Sequence, residues 1–275
     1  MTTKEFSVEF DILYNNLASN SAPPVNEYEK SVFLTKAQSD IVLELYSGRN
    51  SLGLSFESSE EARKYLLPLI KYYDRTEGII SNYDVTYKCY KHYIYRPVDD
   101  TTSWNALRPG LATIREELHV ETVDEDNNPI EGNIPIILVT HDTLDSTLKN
   151  PFKRPKGVKR ALRLDSNQAE GANKTNGSTT IIYTEVPISN LTYREWYLAK
   201  PTPIILDNIL DESLTIDNIN VARTEEKDGE KVIKGNPKEC ILSPMLHNMI
   251  LERAVLLAKM AYVGGQAQQP QQQQR

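Results

Sequence analysis

Apolar residues recur at three- and four-residue spacing from residue 1 to about 75, alternate one by one through the middle, and return to helical spacing after residue 240. A helix buries a stripe and a strand buries a face, so this order constrains the fold. It prescribes an α+β chain in which the N- and C-terminal helices share a layer and a β-rich region is inserted between them. The expected organisation is a helical segment over 1–75, a β-rich region with long loops over 76–240, a C-terminal helix over 241–265 packing with the first helices, and an extended tail over 266–275.

The helix boundaries are written in capping chemistry. Thr2-x-x-Glu5 reads as a capping box ahead of Phe6, Phe10, Leu13 and Leu17, and 19–24 breaks that first helix. Asn26 caps a second helix of about twenty residues, with a stripe of Tyr28, Val32, Ala37, Ile41 and Leu45 that ends at Gly48. Ser58-x-x-Glu61 marks a third, which Pro68 bends or cuts short. In the last helix Ser243 is the expected N-cap and Pro244 the first helical residue; Leu246, Met249, Ile250, Ala254, Leu257, Ala258 and Ala261 form its apolar stripe up to Gly264-Gly265. Leu246, Met249, Ile250 and Leu257 are candidates for a subunit interface, and the alternative for the same stripe is an ordinary core helix.

From Tyr83 onward the segments YDVTYKCYKHYIY, IPIILV, VKRALRL, STTIIYTEV, LTYREWYL and PIIL are rich in β-formers and separated by Pro, Gly and Asn clusters. The stretches 123–133, 165–177 and 224–236 are expected to be surface loops or hairpins. The tyrosines between Tyr72 and Tyr95 are candidate contact residues, because tyrosine offers a large area with few rotamers to freeze.

Composition narrows the function. A net charge of −7 argues against wholesale coating of nucleic acid or anionic membrane, and two cysteines, Cys89 and Cys240, are too few for a disulfide framework. The longest apolar run, near Ile136 to Val139, is far short of a membrane span, and MTTKEFSVEF has no apolar signal region, so no membrane partner is expected. Gly48 to Ser55 imitates a phosphate-binding loop, but Leu54 stands where the lysine belongs and a helix precedes it. The histidines are scattered without ligand spacing, and Asp217 with Glu225-Glu226 only faintly resembles a magnesium-holding set. No catalytic constellation, metal site or cofactor site is expected.

Two charged or polar features remain. Residues 149–160 carry Lys149, Lys153, Arg154, Lys156, Lys159 and Arg160 without one acid, a basic patch that suits a DNA channel or an acidic partner surface unless it is a solvated loop balanced by the acids of 116–131. In the tail, Gln266, Gln268, Gln269, Gln271, Gln272, Gln273 and Gln274 make up seven of the last ten residues. That composition has too little apolar surface to offset the entropy of ordering, so the tail is a candidate docking element.

The segments EFDILYNN, NEYEKSVFLTKAQ, NPFKRPK, YLAKPTPIILDN, LTIDNI and ECILSPMLHNMILERAVLLAKMAYVG resemble a structural protein in the virion gene block of crAss-like bacteriophages. The resemblance runs nearly end to end, with its most specific stretches at 27–38, at Lys200 to Leu206 and at Cys240 with Leu246-His247. It implies a non-enzymatic head-to-tail connector: a homo-oligomeric ring of about twelve copies between the portal protein and further tail ring or hub proteins, with packaged DNA as a channel neighbour. The implied location is the portal–tail junction of a virion assembled in the bacterial host cytoplasm. Alternatives are another capsid or tail accessory protein, and a DNA-processing or DNA-binding protein of the packaging module.

Overall fold

The computed structural model describes residues 1–17, 23–49, 53–75, 79–96, 110–123, 129–157, 159–166, 178–185, 190–227 and 230–266. The chain forms two compact units, Met1–Leu69 with Lys200–Arg275, and Ile70–Ala199. The sequence boundaries at 75/76 and 240/241 thus lie apart from the unit boundaries at 69/70 and 199/200.

In the first unit, α1 (Thr3–Leu17), α2 (Glu27–Ser47), α3 (Glu60–Leu66) and the C-terminal α5 (His247–Gln266) follow the apolar periodicity. The Thr2/Glu5 box is formed in both directions, and so is the Asn26/Glu29 box of α2. Gly48 closes α2 at φ +74, a left-handed C-cap that a side chain would strain. Two caps differ from expectation. Ser59, not Ser58, accepts from Ala62 N–H, and Ser243 makes no side-chain capping bond because Pro244–Leu246 forms a 3-10 turn before the α-helix begins.

Phe6, Phe10, Leu34, Ala37, Ile41, Val42, Leu45, Ile250, Ala254 and Ala258 are buried in this unit. The small Ala254 and Ala258 let helical backbones approach closely. On α2 the stripe is rotated from the expected one: Val32 is exposed, and Lys30, Ser31, Thr35 and Gln38 are buried instead. Each of those polar groups has partners. Lys30 Nζ reaches Asp11 at 2.7 Å and Glu27 at 2.8 Å, and Ser31, Thr35 and Gln38 hold the extended segment at 202–206. Burial opposes the Lys30 charge, yet the hydrogen bonds it donates to both carboxylates hold its pKa above the ordinary lysine value.

That extended segment leads to a small second cluster of Ile205, Ile209, Ile216 and Val221. Here β9 (Thr215–Ile216) and β10 (Ile219–Asn220) meet across Asp217-Asn218, both at positive φ as a type I′ turn requires. A hairpin, β11 (Ala222–Lys227) with β12 (Glu230–Gly235), follows where a loop or hairpin was expected.

The second unit is one eight-stranded sheet in the order β1-β8-β4-β5-β6-β7-β3-β2. Its strands are β1 (Ile70–Arg75), β2 (Ile80–Asp84), β3 (Cys89–Arg96), β4 (Gly110–Val123), β5 (Pro129–Leu138), β6 (Ala161–Ser166), β7 (Ser178–Thr184) and β8 (Asn190–Ala199). A flat sheet of this size would hold its edges ~34 Å apart at ~4.8 Å per strand. The edge strands β1 and β2 are consecutive in sequence, and five residues from Arg75 to Ile80 reach at most ~18 Å. The sheet must therefore fold over on itself. The bend falls in β5, which pairs antiparallel with β4 up to Pro135 and parallel with β6 from Ile136 onward. Proline has no N–H to give to a ladder, which suits it to the change of partner.

Between the two halves lie Ile94, Leu118, Val120, Ile134, Ala161, Ile182, Leu191 and Tyr193. On the opposite face of β6 and β7, Leu162, Leu164 and Tyr183 are covered by Leu148 of α4 (His141–Lys149), a helix the sequence reading did not anticipate. Its run HDTLDSTLK has only two apolar residues, too few to show a period.

Candidate functional site

Five of the six cations of 149–160 share one built loop, and Lys149 ends the helix before it. The Asn150 side chain accepts from Phe152 N–H at 2.9 Å, and its carbonyl accepts from the N–H groups of Lys153 and Arg154. Arg160 folds back, its guanidinium donating to the carbonyls of Phe152 at 2.6 Å and Arg154 at 2.8 Å. Gly157 turns the chain at φ +45 and donates to Glu185 at 2.8 Å. The balancing acids are local ones: Lys149 pairs with Asp145 at 2.7 Å and Arg154 lies 3.7 Å from Glu185. Lys153, Lys156 and Lys159 are exposed and have no carboxylate partner among the described residues. At the tip Phe152 is 85% exposed, a large apolar side chain among cations that sequence reasoning overlooked.

Of the four α5 candidates, Leu246 and Ile250 are buried within their own unit, and Met249 and Leu257 are half-buried. What α5 and the 3-10 turn before it present outward is Met245 and Met260, each 72% exposed, with Leu256 at 52%. Every methionine after Met1 therefore lies along this helix or in the turn that leads into it, and methionine adapts readily to a partner's shape.

Beside this stripe, α1 and α5 border a cavity of about 360 Å³ lined by Glu9, Ile12, Leu13, Asn248, Leu251 and Glu252. Its lining sets the aliphatic Ile12, Leu13 and Leu251 beside two carboxylates, neither in an ion pair among the described residues. Of the tail candidates, Gln266 is the last residue of α5, which runs through the Gly264-Gly265 pair; Gln268, Gln269, Gln271, Gln272, Gln273 and Gln274 lie outside the described residues.

Among the tyrosines of 72–95, Tyr72 and Tyr83 are exposed, whereas Tyr93 is buried at 7%. Tyr72 packs at a tilt against Trp196, ring centroids 5.0 Å apart, and Arg115 lies over the same indole at 4.9 Å. The faint magnesium set does not gather: Asp217 is held by Lys200 at 2.7 Å, and Glu225 lies on β11 between Arg223 and Lys234. Among the described residues no group of three or more His, Cys, Asp or Glu side chains is placed to hold a metal ion. No helix among them is long and apolar enough to cross a membrane.

Residues 1–270 match the family described as phage tail ring protein 3/4 of crAss-like phages. The chain belongs to that ring protein family. It is 32% identical to Ring protein 3 of Bacteroides phage crAss001 over 261 residues, covering 94% of this chain and 95% of the relative. It is also 29% identical to Ring protein 4/5 of the same phage over 269 residues, covering 96% and 94%. It is thus a structural ring protein of the virion, as the resemblance implied.

The stretches that carried the resemblance have a physical role in this ring protein. Ser31, Thr35 and Gln38 of α2 bind the backbone of Leu206, Ile204 and Thr202 in turn, so the helix acts as a rail for the extended PTPIIL segment. Cys240 Sγ donates to Gln38 Oε1 at 3.2 Å, and His247 donates from Nε2 to the Leu242 carbonyl at 3.2 Å. That bond leaves His247 Nδ1 as acceptor for the Met1 amino group at 2.7 Å. Burial and the nearby positive amine both lower the His247 pKa.

Proposed function

We propose that this ring protein is a non-enzymatic head-to-tail connector, a homo-oligomeric ring of about twelve copies that joins the portal to the tail of a short-tailed phage. The observation that carries the reading is the match to two different ring proteins of one phage over nearly their whole lengths. A fold used for more than one ring in a single particle has its function in its shape, and its neighbours along the axis are other rings, hub proteins or the portal. Cyclic closure needs a heterologous interface, in which each copy offers two different faces. The chain has such faces to offer: the basic loop with Phe152, the methionine stripe of α5, and the groove between α1 and α5.

The Gln-rich tail after Gly265 is the proposed docking element toward the portal, and the basic loop faces either a subunit or DNA in the channel. Assembly takes place in the host cytoplasm before incorporation into the virion. Native mass spectrometry of the purified chain, followed by electron-microscopy class averages with purified portal, tests the reading. Closed rings that cap the portal support it. Rings of another symmetry that ignore the portal favour a capsid or tail accessory role. Magnesium-dependent DNA cleavage abolished by Glu226→Ala would overturn it in favour of a packaging enzyme.

A further inference from the structure

We propose that the Phe152 tip of one copy seats in the α1/α5 groove of the next copy, and that this knob and socket is the repeating junction of the ring. The inference rests on the ring reading and adds the identity of its two faces. The knob lies at 150–160 in the sheet unit and the socket lies in the helical unit, so every copy carries one of each. That is the arrangement a heterologous, closing interface requires.

The knob has the features of an anchor. Phe152 is 85% exposed on a loop fixed by the Asn150 turn and by the Arg160 guanidinium bridging two carbonyls, so little loop entropy is lost on docking. An exposed phenylalanine on a mobile loop would be unremarkable; on a loop built this firmly it is held out toward something. The socket fits it in shape and in sign. Its cavity of about 360 Å³ has room for a phenyl ring, and Ile12, Leu13 and Leu251 supply the apolar lining. Also in its lining, Glu9 and Glu252 lack ion-pair partners among the described residues, and the knob carries the reciprocal excess in Lys153, Lys156 and Lys159. Opposite charges ringing an apolar contact fix the docking register and raise the association rate. The methionine stripe of α5 lies beside the socket and carries no charge to match the knob, so it is the less suited receptor.

The test uses the full chain, with sedimentation velocity and native mass spectrometry reading assembly, and circular dichroism with tryptophan fluorescence confirming folding. Wild-type rings establish the ring reading separately; a wild type that stays monomeric at all concentrations overturns that reading and this one with it. Given wild-type rings, Phe152→Ala should raise the protomer concentration for half-assembly by about 30-fold. Lys153→Glu with Lys156→Glu, or Glu9→Lys with Glu252→Lys, should each abolish rings, and all four changes in one chain should restore them. Mixing Phe152→Ala with Glu9→Lys/Glu252→Lys leaves a single working junction, so one-to-one heterodimers should form without rings. Reversal variants that close rings as readily as wild type, or a four-fold variant that fails to recover, would show that the junction lies elsewhere while leaving the ring reading intact.

Discussion

Removing Arg163 should destabilise the sheet unit far more than removing the whole ion pair it belongs to. Arg163 on β6 and Glu116 on β4 face each other inside the folded sheet, their side chains each 8% exposed, and Tyr193 donates its hydroxyl to the same carboxylate. Burial holds the Glu116 carboxyl above its ordinary pKa even with the guanidinium beside it, which shows how far solvation has been withdrawn. Arg163→Met leaves that carboxylate without its cation, a change that costs about 3–5 kcal/mol. The second acid on Arg163, Asp165, is 54% exposed and regains water, so it adds little. Arg163→Met with Glu116→Gln removes both charges, keeps an acceptor for Tyr193, and should fall within about 1–2 kcal/mol of wild type. Both tryptophans, Trp104 and Trp196, lie within 70–199, so urea unfolding followed by their fluorescence reports this unit alone. The pH dependence supplies a second check. An acid with a raised folded-state pKa binds its proton more readily in the folded state, so protonation relieves the unpaired charge and the penalty of the single variant should shrink from pH 8 to pH 5. A single-variant cost below about 1 kcal/mol, or a double variant as damaged as the single one, would refute this reasoning.

His92 is fully buried between Ser81 and Thr184, and burial lowers its pKa from 6.5 to about 4. The unfolded chain therefore binds the proton first, and stability should be lost as pH falls from 6.5 toward 4, by about 3 kcal/mol at most; His92→Gln should flatten this slope in urea midpoints read across that range, and equal slopes would count against it. Burial pushes the thiols of Cys89 and Cys240 up to about 11, so at pH 7.5 both should react with an aqueous disulfide reagent about 300-fold more slowly than an exposed cysteine and at the ordinary rate in denaturant. Asn26→Ala removes one half of a reciprocal capping box and should cost about 1 kcal/mol, seen as an earlier loss of ellipticity at the helical wavelength, with Asn26→Gly milder. Truncation after Gly265 should leave the folded signal unchanged and prevent joining to portal complexes; unchanged joining would remove the docking role of the tail.

The sequence by itself determined the α+β order of the chain and the bounds of its first helices. Capping boxes at Thr2/Glu5 and Asn26/Glu29 and the glycine at 48 are local chemistry, complete within one turn of chain, so they are legible without a fold. Family membership was legible too, because it rests on long stretches of residues and needs no geometry. Tertiary structure decided which faces those elements bury. Val32 is on the outside of α2 and Gln38 on the inside because a distant segment, 202–206, offers backbone groups there that outweigh the loss of an apolar contact. A helix with two apolar residues, α4, exists because β6 and β7 give it something to cover. The buried charge of Arg163 and Glu116 comes from strands 47 residues apart, a separation over which no periodicity speaks. The same holds for the surfaces left over. Sequence marks the basic run, but only the fold shows that Phe152 stands out from it and that α1 and α5, from opposite ends of the chain, leave a groove with two acids in its lining, since exposure is a property of what the rest of the chain fails to cover.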